Sequence, residues 1–173
     1  IAERFNNIYG DVFTIPEAYI GKKGAKIMSL QEPGKKMSKS DTNANATILL
    51  LDDTDTIIRK FKRAVTDSES EVRYAEEKPG ISNLMDIYSA VTGKTYEEIE
   101  KEFAGKGYGD FKLAVGETVA DHLKPLQERY EQLMKDKAYI ESMIKQNDEK
   151  AAYYANKTLR KVQKKVGLTE RIR

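Results

Sequence analysis

Lys36-Met37-Ser38-Lys39-Ser40 is the stretch whose residue types and spacing could do chemistry. Two ammonium groups three residues apart, with hydroxyls between and beside them, suit a triphosphate. Ammonium groups can follow phosphate oxygens as charge moves, and hydroxyls and backbone N–H groups add donors. The stretch lies just after the turn signal Pro33-Gly34 and just before the acidic, amide-rich Asp41-Thr42-Asn43. Helix-forming Lys and Met beside loop-forming Ser, Gly and Asn suggest a segment that can move. The competing reading is a solvated basic loop, or a short cluster that steers the chain to nucleic acid.

The elements on either side must hold such a loop in place. Ile27-Met28-Ser29-Leu30 is short, apolar and bounded by turn residues, which predicts a buried strand, and Thr47–Leu51 predicts a second. Upstream, Ile1, Phe5 and Ile8 fall at helical spacing before Gly10, and Val12–Ile15 reads as a short extended run. Downstream, Asp53 or Thr54 caps a helix with Ile57, Ile58, Phe61 and Val65 on its core face and Arg59, Lys60, Lys62 and Arg63 outside. Glu69–Gly80 is polar and reads as the region where two domains meet. Everything beyond reads as helix. Ser82 is expected to cap the first helix, and Thr95 with Glu98 forms a capping box for the second. Asp110 is the expected N-cap of a long third helix interrupted by Pro125. Two more helices are expected after it, one carrying Ile140, Met143 and Ile144, the other running from Ala151 to a stop at Gly167.

A chain of 173 residues suits one domain or two small ones. The absence of cysteine excludes disulfides and thiolate metal sites and fits a reducing cytoplasm, and the single His122 leaves no room for a His-rich metal site. No apolar stretch approaches membrane-spanning length. The opening Ile1-Ala2-Glu3-Arg4-Phe5 reads as helix interior with no cap before it, so the chain is expected to be the C-terminal piece of something longer. Net charge is only +2, but residues 142–173 hold nine Lys/Arg against three Asp/Glu. That asymmetry points to an anionic partner at the C-terminal end.

The motif stretch matches the KMSKS signature of class I aminoacyl-tRNA synthetases without a substitution. Further words agree across almost the whole chain: Phe13-Thr14-Ile15-Pro16-Glu17, Lys26–Leu30, Arg63-Ala64-Val65-Thr66-Asp67-Ser68, Lys78-Pro79-Gly80-Ile81-Ser82-Asn83-Leu84 and Leu123-Lys124-Pro125-Leu126-Gln127. With these the chain resembles the C-terminal half of bacterial-type tryptophanyl-tRNA synthetases, more than the related tyrosyl enzymes. The resemblance implies α/β followed by all-α: residues 1–75 as the second half of a Rossmann-like nucleotide-binding domain, and 76–173 as a helical-bundle anticodon-binding domain. It also implies a cytoplasmic enzyme that activates tryptophan with ATP and Mg²⁺ and transfers it to tRNA, working as a homodimer.

Carried over by position, Lys36 and Lys39 would hold the phosphates, with Lys39 supporting charge that leaves with pyrophosphate. Backbone groups at Ile27 and Met37 would border the adenine, and Ser38 and Ser40 would add polar contacts. The family's HIGH-type sequence and tryptophan-binding residues have no counterpart in these residues. The resemblance therefore implies a chain that is catalytically incomplete by itself, with no protein-ligated metal.

Other features have plainer readings. His122, one turn beyond Val119, is expected to pack. Asp52, Asp53 and Asp55 suit helix capping better than a divalent ion. At least one of Tyr153 and Tyr154 is expected to pack in the bundle. Lys150, Tyr154, Lys157, Lys161 and Lys164 share one helical face. That face is either solvated or a contact for tRNA, as the family's helical domain would make it. Two classes remain open: a piece of an ATP-dependent ligase, or a free-standing helical RNA-binding module.

Overall fold

The computed structural model describes residues 1–21 and 24–168. Six helices form among them: α1 (Ala2–Tyr9), α2 (Thr54–Lys62), α3 (Pro79–Thr92), α4 (Tyr96–Glu102), α5 (Tyr108–Met134) and α6 (Lys137–Val166). Local chemistry sets several ends as expected. The Asp53 carboxylate accepts the Thr56 N–H at 2.7 Å to start α2, and Thr95 and Glu98 close a reciprocal capping box on α4. Gly93 and Gly167 end α3 and α6 in the left-handed conformation.

Three boundaries differ. α3 starts at Pro79, whose missing N–H costs nothing in a first turn. Ser82 is therefore already inside the helix, where its hydroxyl accepts from Ala75 N–H and donates to Ala75 C=O. α5 begins at Tyr108, so Asp110 lies in its first turn and is not the cap. The two helices expected after it are one: nothing between Lys137 and Val166 is Gly or Pro, and Asn147-Asp148 disfavour a helix too weakly to break it. Pro125 sits inside α5, where its ring removes one backbone donor.

The expected strands over 27–30 and 47–51 do not form ladders. Among the described residues the only β-contact is an isolated antiparallel bridge between Met28 and Lys36. The second stretch curls instead: Asp52 Oδ2 accepts the Leu49 N–H at 2.9 Å, and Gln127 Nε2 donates to the carbonyls of Leu50 and Asp52. Leu49, Leu50 and Leu51 are left exposed. The all-helical part of the expected fold class holds, while the sheet does not appear.

The chain divides into two units. One comprises Ile1–Tyr19 with Glu131–Arg173, the other Ile20–Tyr130. In the first, Asn6 on α1 clamps the following extended run. Its Oδ1 accepts from Val12 and Phe13 N–H, and its Nδ2 donates to Phe13 C=O at 2.8 Å. Phe5 lies edge-on to Phe13 at 5.1 Å. No described residue of α6 is fully buried.

The second unit holds the core, in which Ile57, Phe61, Ile81, Leu84, Met85, Ile99, Phe111 and Val115 are almost wholly buried. Each such side chain contributes about 1.5–3 kcal/mol. Tyr88, Phe103 and Phe111 meet edge to face with centroids 4.8–5.9 Å apart. Two glycines set how closely the elements approach. A Cβ at Gly80 would stand 2.3 Å from the Val65 carbonyl oxygen, and one at Gly116 would stand 3.0 Å from the Ile58 backbone.

Lysines tie the connections to this core. Lys60, expected in solvent, is buried because its ammonium donates to Asp52 at 2.6 Å and to the Thr47 carbonyl at 2.9 Å. Lys112 Nζ reaches the Ala64 carbonyl and the Thr66 hydroxyl, and burial lowers its pKa. Lys78 is buried against Glu69, Asp67 and the Tyr108 hydroxyl. The Tyr108 hydroxyl donates to Asp67 Oδ1 at 2.7 Å. Burial pushes the Asp67 carboxyl up, but the Tyr108 hydroxyl, the Glu69 N–H and the Lys78 ammonium together hold it below the usual carboxylate range.

A folded-state pKa below the unfolded one gives stability that is present above the unfolded value, about 3.9, and lost as pH falls through the folded value. Asp67→Asn should therefore lower stability at pH 7 by about 1–3 kcal/mol, as a charged hydrogen-bond acceptor is lost. The variant's urea midpoint should also fall less steeply than the parent's between pH 5 and 2. Parallel acid profiles would assign that loss to other carboxylates.

Candidate functional site

The loop expected to meet phosphate grows out of a hub at residues 27–31, where neighbouring segments take up the backbone one residue at a time. Ile27 C=O accepts from Met37 N–H at 3.0 Å, and Ser29 N–H donates to Lys35 C=O at 2.8 Å. These two bonds close the Met28–Lys36 bridge. Asn83 on α3 reaches Met28 from another side chain, accepting its N–H at 2.8 Å and donating to its C=O at 2.9 Å. Leu30 N–H donates to Ala46 and its C=O accepts from Val65. Gln31 Nε2 donates to the Arg63 carbonyl. The turn at Pro33-Gly34 is closed by Lys35 N–H on the Glu32 carbonyl and by a Lys35–Glu32 ion pair.

Beyond the bridge the loop opens to solvent. Lys36, Ser38, Lys39 and Ser40 are exposed, and Met37 is half-buried against the core. The Ser38 and Ser40 hydroxyls lie 3.0 Å apart, Ser40 N–H donates to Ser38 Oγ, and Thr47 Oγ1 donates to the Ser38 carbonyl at 2.8 Å. Asp41 accepts the Asn43 N–H, and Asn43 in turn accepts the Asn45 N–H. The tip is thus locally organised, while Lys36 at the bridge and Lys39 at the tip both face water. Beneath it Ile27, Met37, Ile48, Phe61, Ile87 and Val91 line most of an apolar recess of about 220 Å³.

The structure brings all six residues expected around ATP, Ile27 and Lys36–Ser40, to this one loop and its base. Sequence reasoning missed Asn83 and Thr47. Asn83 lies 55 residues from Met28, and no local periodicity could have joined them. Of the acidic trio, Asp53 caps α2 and Asp55 lies in its first turn as expected, whereas Asp52 pairs with the buried Lys60.

The second candidate set stands on α6. Lys150, Tyr154, Lys157, Lys161 and Lys164 recur every three or four residues and are all exposed. Tyr153 and Tyr154 are 64% and 58% exposed, 5.3 Å apart edge to face, so neither packs in a bundle. Arg160, Lys161, Lys164 and Leu168 line a shallow hollow of about 320 Å³ on this helix. His122, expected to pack, is exposed on α5. No helix among the described residues is long and apolar enough to cross a membrane.

Comparison with known proteins places these features in a family. The chain is 52% identical over 167 residues to the tryptophan–tRNA ligase of Clostridium tetani, covering 96% of this chain and 49% of that protein. It is 52% identical over 169 residues to that of Listeria monocytogenes, covering 97% and 51%. The chain spans about half the length of the curated relatives it matches. Its fold superposes on the crystal structure of tryptophanyl-tRNA synthetase from Mycoplasma pneumoniae with a TM-score of 0.85 at 28% identity, over 97% of this chain and 51% of that one. The Campylobacter jejuni enzyme, solved with ADP and tryptophan, gives 0.64 at 26% identity, over 96% and 51%. The family model described as tRNA synthetases class I (W and Y) matches residues 1–124. With a match over that much of its length, the chain belongs to the class I tRNA synthetases of the tryptophan and tyrosine group.

Proposed function

We propose that the chain is the C-terminal part of a tryptophan–tRNA ligase. The complete cytoplasmic enzyme, a homodimer, activates tryptophan with ATP to tryptophanyl-adenylate and pyrophosphate, then transfers tryptophan to tRNA. On this reading residues 1–75 finish a Rossmann-like nucleotide domain and 76–173 form the helical anticodon-binding domain. Tryptophan is favoured over tyrosine because the similar relatives named above are tryptophan enzymes. The observation that carries the reading is the Lys36–Ser40 loop, whose base is bonded to several segments and which exposes Lys36 at the bridge and Lys39 at its tip.

Ile27 and Met37 spend one backbone pair on each other, with Met37 N–H on Ile27 C=O, so any adenine contact must use their remaining groups. Lys36, beside the bridge, is the fixed phosphate ligand. Lys39, at the exposed tip, is the one free to follow charge onto departing pyrophosphate. Ser38 and Ser40 add hydroxyl donors. The magnesium ion enters with ATP as part of the substrate. Adenylate formation needs little covalent help from protein and depends on positioning and charge stabilisation.

The tryptophan pocket and half of the phosphate donors are read as lying outside these 173 residues. By themselves these residues should therefore give only background tryptophan-dependent pyrophosphate exchange. Exchange clearly above background would sink the incomplete-site reading.

In the complete enzyme Lys39→Ala should slow adenylate formation by roughly 10²–10³, with the ATP constant changed much less. Lys36→Ala should do the reverse, raising the ATP constant more and slowing the step less. Single-turnover kinetics over a range of ATP separate the two. An unchanged maximal rate with a much larger ATP constant for Lys39→Ala would remove its catalytic role.

The α6 stripe of Lys150, Tyr154, Lys157, Lys161 and Lys164 is read as a phosphate-contacting face for tRNA. Lys157→Glu with Lys161→Glu should weaken tRNA binding by the chain and make its dependence on log salt shallower by about one to two units. Parent-like binding of the double variant at low salt would leave the stripe a solvated face.

A further inference from the structure

We propose that Asn83 is the positioning residue of the Lys36–Ser40 loop: its side-chain amide acts as a missing strand and fixes Lys36 through Met28. Every link is a short contact. Asn83 is 3% exposed and lies one turn beyond Pro79 and Gly80, at the start of α3. Gly80, which has no room for a Cβ against Val65 C=O, lets that first turn press against the 65–66 backbone. Val65 N–H in turn donates to Leu30 C=O at 2.7 Å. At this depth the amide meets both polar groups of Met28 at 2.8 and 2.9 Å. Its orientation is fixed chemically, because an N–H can be met only by Oδ1 and a C=O only by Nδ2.

One residue pairing through both an N–H and a C=O is the bonding pattern of an antiparallel strand. Asn83 thereby supplies one edge of a three-part ribbon, with Met28 in the middle and Lys36 at the far edge. Side chains at Met28 and Lys36 are set by the backbone they stand on. A shift of Met28 would be passed on through the Met37–Ile27 and Ser29–Lys35 bonds. This amide is the contact by which α3 bonds to the root of the loop. For ATP the inference rests on the functional reading above, in which Lys36 is a ground-state phosphate ligand.

The test has two arms. In the chain itself, hydrogen exchange is followed at the Met28, Ser29 and Met37 amides in the parent, Asn83→Ala and Ser82→Ala. Ser82 is a buried α3 neighbour that bonds Ala75 instead of the loop. Asn83→Ala should speed exchange at all three amides by roughly tenfold or more, the scale of one lost buried hydrogen bond, and Ser82→Ala should not. In the complete enzyme, Asn83→Ala should raise the ATP constant by about tenfold and leave the tryptophan constant alone. Added to Lys36→Ala it should change the ATP constant little further, since both act through the same contact.

Unchanged protection at the three amides overturns the clamp, whatever the loop binds. Loosened amides with a parent-like ATP constant, or full additivity with Lys36→Ala, overturn the positioning role while leaving the ATP reading intact. If Lys36→Ala itself leaves the ATP constant unchanged, the functional reading fails and takes the ATP part of the proposal with it. Should Asn83→Ala fail to fold, Asn83→Asp carries the same test, since it keeps the acceptor for Met28 N–H and sets a carboxylate oxygen against Met28 C=O in place of the donor.

Discussion

The second unit depends on a backbone constraint: residues 27–31 run into a protein core without a sheet to receive them. A buried peptide group that meets no partner costs about 1–3 kcal/mol, so each N–H and C=O must be met separately. Met37, Lys35, Ala46, Val65 and the Asn83 side chain all supply partners, and they come from four different stretches of chain. Those stretches are thereby held around one short segment. The loop that follows inherits a rigid root, which is what an exposed pair of lysines needs if its reach is to be defined.

The same economy governs the charges behind the hub. Lys60 on α2, Lys78 just before α3 and Lys112 on α5 turn inward, and each ammonium meets a carboxylate, hydroxyl or carbonyl of a connecting segment. A lysine stem is apolar, so it packs along the core while its head replaces water at a loop carbonyl. Such contacts hold irregular connections that have no ladder of their own.

Much of the helical part was legible in the sequence, because its signals are local. Asp53, Thr95 with Glu98, Gly93 and Gly167 each act within one turn of the end they set. The errors came where a local signal was outbid by a distant partner. Thr47–Leu51 has the composition of a buried strand, but Asp52, held by Lys60, bonds back to Leu49 and Gln127 takes the next carbonyls. Lys60 has helical spacing for the outer face, and only the position of Asp52 and Thr47 explains its burial. Pro79 carried a helix-start signal, yet with Gly80 beside it the pair reads equally as a turn. The phosphate loop was legible as a word; the amide that anchors it was not, since its partner lies 55 residues away.

Two asparagines, Asn6 and Asn83, do the work of a strand edge on Phe13 and Met28. A true ladder is written in backbone atoms, so nearly any side chain can occupy it and drift leaves it standing. An amide clamp is written in a single side chain. Aspartate and leucine, its nearest matches in shape, lose the donor or both groups, and glutamine carries the same pair one methylene too far. Sensitivity to mutation at the root of the loop is therefore concentrated outside the loop itself, in a residue on a remote helix. A scan confined to the motif would map this protein's fragile positions incompletely.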